Sequence, residues 1–298
     1  DYLHKKMYGY HVLQAEETPV LVNKDGRPAG SKSYMWVYRT GRMYTDRQIV
    51  LYEYQRTRNA SHPREFLKNF SGICVTDGYQ VYHTVENERE DLKIAGCWSH
   101  ARRRFDEAVK ALPKSKQKDS RAYLALTMIQ AIYREEKQLK ELPAQERRNH
   151  RQLSIRPLVE AYFAWVRENL PKVPQKSKTW EGFNYSLNQE KYLKVFLEDG
   201  EVPMDNNAAE QSIRGFCIGK KNWVMIDTVA GAKSSAIVYS IAETAKANSL
   251  KPYDYFEYLL TEIPKHLDDT DRSFLNDLLP WSPNLPANCR KPDKDEVE

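Results

Sequence analysis

The stretch VPMDNNAAEQSIRGF, residues 202–216, poses the question on which the fold turns. A helix that opens on Asp205, Asn206 and Asn207 has a sound start, because an Asp side chain accepts a hydrogen bond from a free N–H of the first turn. Along that helix, steps of three and four return to one side, so Asn207, Glu210 and Arg214 share a face. Two readings stand. One is a solvated face with an ordinary Glu–Arg pair. The other is a carboxylate that meets further carboxylates from elsewhere in the chain.

Upstream, 10–23 (YHVLQAEETPVLVN), 33–40 (SYMWVYRT) and 48–55 (QIVLYEYQ) are short, apolar and rich in β-branched or aromatic residues. Turn chemistry in KDGRPAGSK separates the first two, so three strands in an antiparallel meander are expected. HPREFLKNF (62–70) reads as a short helix with Pro63 in its first turn. GICVTDGYQVY (72–82) reads as an apolar strand ending on Asp77–Gly78, and LKIAGCWSH (92–100) as a buried strand after a short helical piece. From residue 100 the period becomes helical. Leu124, Met128, Ile132 and Leu139 mark one stripe; Leu158, Tyr162, Trp165 and Val166 mark another. Residues 99–199 are therefore expected to form an all-helical block. After it come a helix over 205–217, a short strand NWVMI (222–226), a small-residue helix over 230–248 and a last helix around YDYFEYLL. The charged tail RKPDKDEVE (290–298) is expected to be disordered.

The 298 residues are 41% apolar, with 19 Tyr and 6 Trp, which is enough to fill a core. Net charge is +5, a mild basic bias compatible with a polyanionic partner. The bias is local: residues 99–118 hold seven Lys or Arg against Asp106 and Glu107. A solvated basic helix and a nucleic-acid contact both fit that run. Cys74, Cys97, Cys217 and Cys289 form no C-x-x-C pair, which argues against a zinc knuckle or a disulfide framework and fits a reducing cytoplasm. No apolar run approaches the roughly 20 residues of a membrane span. The first residues hold neither a signal-peptide core nor an initiator Met, so a fragment of a soluble intracellular protein is expected.

Chemistry on phosphodiester bonds calls for two divalent metals, one at the attacking oxygen and one at the leaving oxygen, and for two or three carboxylates on a rigid frame to hold them. Asp77 stands at the end of an apolar strand, with Gly78 after it. Glu16 and Glu17 lie inside the first strand, one on each face, where an acid among Val and Leu costs desolvation unless it is paired or metal-bound. Glu210 offers a third carboxylate. A strand-end turn accounts equally well for the Thr-Asp-Gly taken alone.

The segments ETPVLVN, SKSYMWVYRTG, HPREFL, TDGY, GCWSHARRRF, DNNAAEQSIRGFCIGKKNW and LLPW, in that order, resemble the catalytic region of insertion sequence 66 family DDE transposases, over nearly the whole chain. The resemblance implies an α/β fold: a ribonuclease H-like mixed sheet with flanking helices, interrupted by an all-helical insertion. The core would occupy 1–98 and 200–250, the insertion 99–199, and a C-terminal helical segment and tail 251–298. It implies Mg2+-dependent strand cleavage and strand transfer, with two ions and with Mn2+ able to substitute. The family's second and third acids fall on Asp77 and Glu210. Its first lies in an Asp-Glu-Thr motif that here reads Glu16-Glu17-Thr18, so Glu16 takes that place. Arg214, His100, Arg102, Arg103, Lys220 and Lys221 are the expected DNA contacts, with Trp223 either a stacking face or core. The implied partners are DNA (transposon ends and target), further copies of the chain on that DNA, and accessory proteins of the same element, in the bacterial cytoplasm at the nucleoid, with no membrane. A catalytically impaired DNA-binding remnant and a stand-alone nuclease of the same fold are the alternatives.

Overall fold

Alternating burial organises the first three strands. β1 (Val12–Lys24), β2 (Lys32–Thr40) and β3 (Val50–Gln55) pair antiparallel in the order β3–β2–β1, with Glu16 opposite Val37 and Glu17 opposite Trp36. This computed structural model describes residues 1–292 and divides the chain into two units, Asp1–Ser71 with the segment from Ala208 onward, and Gly72–Asn207. The fold is mixed α/β, with strands in both units.

In the first unit one face of the sheet buries Val20, Val22, Met35, Val37, Tyr52 and Tyr54 against two helices. These are α12 (Asn207–Trp223), through Ala209, Ile213 and Phe216, and α13 (Val229–Ala247), through Ala232 and Ala236. The small residues expected to suit α13 for close packing do so, and its hydroxyls serve the sheet edge. Ser240 Oγ accepts from Tyr52 N–H at 2.7 Å and Thr244 Oγ1 from Val50 N–H at 3.0 Å. Two edge N–H groups of β3, which would otherwise invite another strand, are thereby satisfied. On the other face lies α2 (Ser61–Phe66), where Phe66 stacks on Tyr38 with ring centroids 3.5 Å apart, and α1 (Tyr2–Met7) meets α2 through His4, whose ring stacks on Phe66 at 4.0 Å. A short β6 (Ile226–Thr228) runs parallel to β1. Leu250, Tyr255 and Leu259, the last two on α14 (Pro252–Glu262), cluster with Leu278 and Leu285.

In the second unit β4 (Gly72–Val75) and β5 (Leu92–Ala95) are parallel and joined by α3 (Gln80–Asn87). Helices follow: α4 (Trp98–Lys110), α5 (Lys114–Gln117), α6 (Arg121–Gln138), α7 (Ala144–His150), α8 (Arg156–Asn169), α9 (Lys178–Asn188), α10 (Glu190–Leu193) and α11 (Val195–Glu198). Trp98, Phe105, Ile129, Tyr162, Phe163 and Phe183 lie in the core. Arg151, 1% exposed, ties the helices together: it donates to Phe196 O and Asp199 O at 2.7 Å and to Glu136 Oε2 at 2.9 Å.

Several boundaries differ from expectation. The 72–82 strand ends at Val75, because Gly78 turns the chain with φ +89° and α3 then begins. The 92–100 strand ends at Ala95, and Trp98 and His100 are already helical. Asn222 and Trp223 finish α12 instead of starting a strand. On α6 the buried stripe is Ala122, Ala125, Leu126, Ile129 and Ile132, while Leu124 is 47% exposed; alanines let neighbouring helices approach and so set the phase. On α8, Val159 and Phe163 are buried, and Leu158 and Trp165 are half-buried. The start of the tail is bound: Arg290 bridges Leu250, and Lys291 N–H donates to Ser249 O at 2.9 Å. Residues 293–298, the remainder of the expected disordered tail, lie outside the described residues.

Candidate functional site

Alternation in β1 sends the two neighbouring glutamates to opposite faces. Glu17 goes to the α2 face, where its side chain is 1% exposed and pairs with Arg58, whose Nε donates to Oε1 at 2.7 Å and whose Nη2 bonds the same oxygen. A carboxylate so deeply placed needs such a partner. Glu16 goes to the α12 face and stays half-buried. Of the two acids inside the first strand, Glu17 is therefore committed to an ion pair.

Side-chain contacts along α12 fix its register on β1. Arg39, opposite Gln14 in the sheet, donates to Ala208 O at 3.2 Å and Ser212 Oγ at 3.1 Å. Further along, Cys217 Sγ lies 3.5 Å from Thr18 Oγ1, and Lys220 Nζ donates to Pro19 O at 2.7 Å. Four strand residues and nine helix residues both span about 13 Å, so α12 and β1 run side by side in one direction. Glu16, midway between Gln14 and Thr18, is level with the middle of this stretch of helix. Glu210 lies seven residues before Cys217, two turns back on the same flank. Hence Glu16 and Glu210 share the β1 flank of α12, at levels roughly 4 Å apart along the helix axis, less than one turn. The helix starts as expected, with Asp205 Oδ1 accepting from Asn207 N–H at 3.0 Å.

In the second unit Asp77 follows β4. Thr76 N–H donates to Ala95 O at 3.0 Å, continuing the parallel register, so the ends of β4 and β5 lie together and α4 starts there. Asp77 Oδ1 accepts from Tyr79 N–H at 2.8 Å, and its carbonyl accepts from Tyr185 Oη–H at 3.0 Å. Gly78 is required: its φ is positive, and a Cβ there would come within 2.9 Å of Gln189 Oε1. Burial pushes the Tyr185 phenol up, with Cys97 and Asp77 adding to the rise while Arg104 and Arg103 oppose it. The Arg104 guanidinium lies over the Tyr185 ring at 4.3 Å. At the start of α4, Ser99 Oγ bonds Asn207 Oδ1 at 3.0 Å, and Asn206 N–H donates to Cys97 Sγ at 3.2 Å.

The other expected site residues are spread over both units. In the second, His100 is half-buried in the first turn of α4, and Arg102 and Arg103 are exposed in its second. In the first, Arg214 is exposed one turn beyond Glu210, Lys221 is exposed, and Lys220 is held by Pro19 and Thr18. Trp223 packs on the core, edge-on to Phe216 at 5.4 Å between centroids. Sequence reasoning does not reach Arg58, Tyr185 or the Ser99–Asn207 bond. Each pairs residues far apart in the chain, and no local pattern announces them. The four cysteines are free, and no helix among the described residues is long and apolar enough to cross a membrane.

Known proteins match the chain across both units. The profile of the transposase IS66 family matches residues 1–234, and that of the IS66 C-terminal element matches residues 240–281. The chain is similar to the uncharacterized protein y4qI of Sinorhizobium fredii, 29% identical over 95% of this chain and 52% of that one. It is also similar to the uncharacterized protein y4jD of the same organism, 27% identical over 78% of this chain and 45% of that one. The chain spans about half the length of these curated relatives. With both profiles matched in order over nearly all its residues, the chain belongs to the IS66 family of transposases.

Proposed function

We propose that this chain carries the catalytic part of a DNA transposase, with Glu16, Asp77 and Glu210 as its carboxylate set. The observation that carries the reading is the placement of Glu16 and Glu210 on one flank of the β1–α12 pair, with Glu17 withdrawn into its pair with Arg58. Asp77 is the third member. On this reading the strands belong to a ribonuclease H-like core over 1–98 and 200–250. The helices of 99–199 are an insertion in it, and 251–298 is a C-terminal segment.

Three half-buried carboxylates are a hard-oxygen donor set that suits Mg2+, or Mn2+ in its place. Divalent ions held by Glu16, Asp77 and Glu210 would supply an activated water and neutralise charge on the leaving oxygen. The chain's own residues do the rest. Glu16 and Glu210 present their carboxylates from a rigid strand and helix, and the Gly78 turn with Tyr185 holds Asp77 at its strand end. Arg214, Arg102, Arg103 and Lys221, all exposed, bind backbone phosphate, as does His100 in the first turn of α4. Lys220 adds charge while it clamps α12 to β1. Recognition of transposon ends, assembly of copies on DNA, accessory proteins of the same element and work at the nucleoid in the cytoplasm belong to this proposal.

A second reading, a DNA-binding remnant, draws on Glu16 standing where the resemblance places Asp. The test is Mg2+-dependent cleavage and joining of transposon-end duplexes by the unaltered chain, by Glu16→Asp, and by Asp77→Asn and Glu210→Gln as blanks. The extra methylene of Glu displaces the ligand oxygen by roughly 1 Å, which costs on the order of a hundredfold in rate, so Glu16→Asp is expected to be faster. Activity of neither form above the blanks would leave the remnant reading standing.

A further inference from the structure

The first unit contains a polar cavity of about 260 Å3 where β2, α12 and the last turn of α13 meet. Arg39 forms part of its wall and is 6% exposed. Its bonds go to neutral acceptors: Thr40 O at 3.1 Å, Ala208 O, Ser212 Oγ and Gln48 Oε1. Burial lowers its guanidinium to about 10, with Arg42 adding to the fall. Arg42, exposed, bonds the neutral Gln211. Among the described residues lining the cavity, Arg39, Arg42 and Lys246 face a single carboxylate, Glu243, which pairs with Lys246 at 2.7 Å.

A buried guanidinium among neutral acceptors has lost most of its hydration without gaining an anion, a costly state that a bound anion relieves. The fork of a guanidinium matches the oxygens of phosphate or carboxylate, and phosphate offers enough oxygens for three cations at once. The cavity lies beside the first turns of α12, the positive end of its dipole. The last turn of α13 works the other way, and Lys246 offsets it. At this volume the space suits a small anion with its water better than a drug-sized ligand.

We propose that Arg39, Arg42 and Lys246 form a phosphate-binding site on the first unit, filled by a phosphodiester of the DNA backbone. That source of the phosphate rests on the DNA reading above; the anion site itself does not. Gln211 and Ser212, the α12 residues of this wall, directly follow Glu210, so a backbone phosphate held here positions the strand relative to that carboxylate.

The experiment uses the whole chain and Arg42→Gln/Lys246→Gln, both changes at exposed positions that spare the packed Arg39. Inorganic phosphate is titrated by calorimetry, and unrelated duplexes are titrated over a series of salt concentrations. Phosphate binding by the unaltered chain that weakens at least tenfold in the variant is expected, together with a salt slope shallower by about one, the loss of one phosphate contact. A variant that loses phosphate affinity while keeping its duplex slope supports the anion site and assigns it to free phosphate. An unaltered chain that binds phosphate but no duplex overturns the DNA reading and leaves the anion site standing. No phosphate binding by the unaltered chain, with duplex slopes equal in both proteins, overturns the site and leaves the DNA reading intact.

Discussion

Replacing Glu16 and Glu17 one at a time separates structure from chemistry at adjacent positions. Glu17 is 1% exposed in its side chain, and its partner Arg58 is 34% exposed. Arg58→Met strands a buried carboxylate, a loss of about 3–5 kcal/mol in fully buried pairs. Water reaches this pair through Arg58, so the lower end, about 3 kcal/mol, applies. Glu17→Gln keeps the shape and removes the charge from a charged hydrogen bond, which costs about 2 kcal/mol. Glu16 is half-buried on the other face, and Glu16→Gln falls within about 0.5 kcal/mol of the parent. For a chain of this size a change of about 1 kcal/mol moves the midpoint by roughly 2–4 °C. The expected order is therefore a fall on the order of 5–10 °C for Arg58→Met, a smaller fall for Glu17→Gln and almost none for Glu16→Gln. Scanning calorimetry reads these shifts, and the cleavage assay runs on the same samples below the lowest midpoint. Loss of cleavage should track Glu16→Gln alone. A stable Glu17→Gln without activity, beside an unstable Glu16→Gln that still cuts, would refute the assignment of faces.

Gly78→Ala forces a Cβ into a left-handed conformation and against Gln189; a loss of about 1–3 kcal/mol by denaturant titration is expected, and an unchanged midpoint would deny that this turn is constrained. Burial raises Glu53 to about 7, with Gln55 opposing and Glu65 adding to the rise. Because its folded value exceeds its unfolded one, its contribution is full below about pH 4.5 and is lost as pH rises through about 7, on the order of 3 kcal/mol in all; Glu53→Gln should flatten the stability profile across that window, and an identical slope would show that another group sets it. Arg102→Gln/Arg103→Gln on the exposed face of α4 should weaken duplex binding uniformly across sequences and make the salt slope shallower by about two, whereas a sequence-dependent loss would point to base contacts.

Much of the architecture is legible in residue order. Alternating Val, Tyr and Trp mark β1 to β3, because period-two burial is local. The Asp-Asn-Asn start of α12 and the small residues of α13 are local signals as well, and so is the basic run on α4. Alternation also puts Glu16 and Glu17 on opposite faces, but not which face each takes. That depends on α12 covering one side and α2 the other, and on Arg58 arriving beside Glu17 from 41 positions along the chain. The phase of α6 was decided by packing too: alanines that pass as neutral in a sequence are buried because they let helices approach, and Leu124 is left outside. The ends of β4 and β5 follow from Gly78 and from a helix start at Trp98, where turn geometry overrides an apolar run. Arg39 is the furthest from its sequence reading. In residue order it is one more basic side chain; folding buries it between β2 and α12, where its charge acquires a consequence because water has been removed from around it.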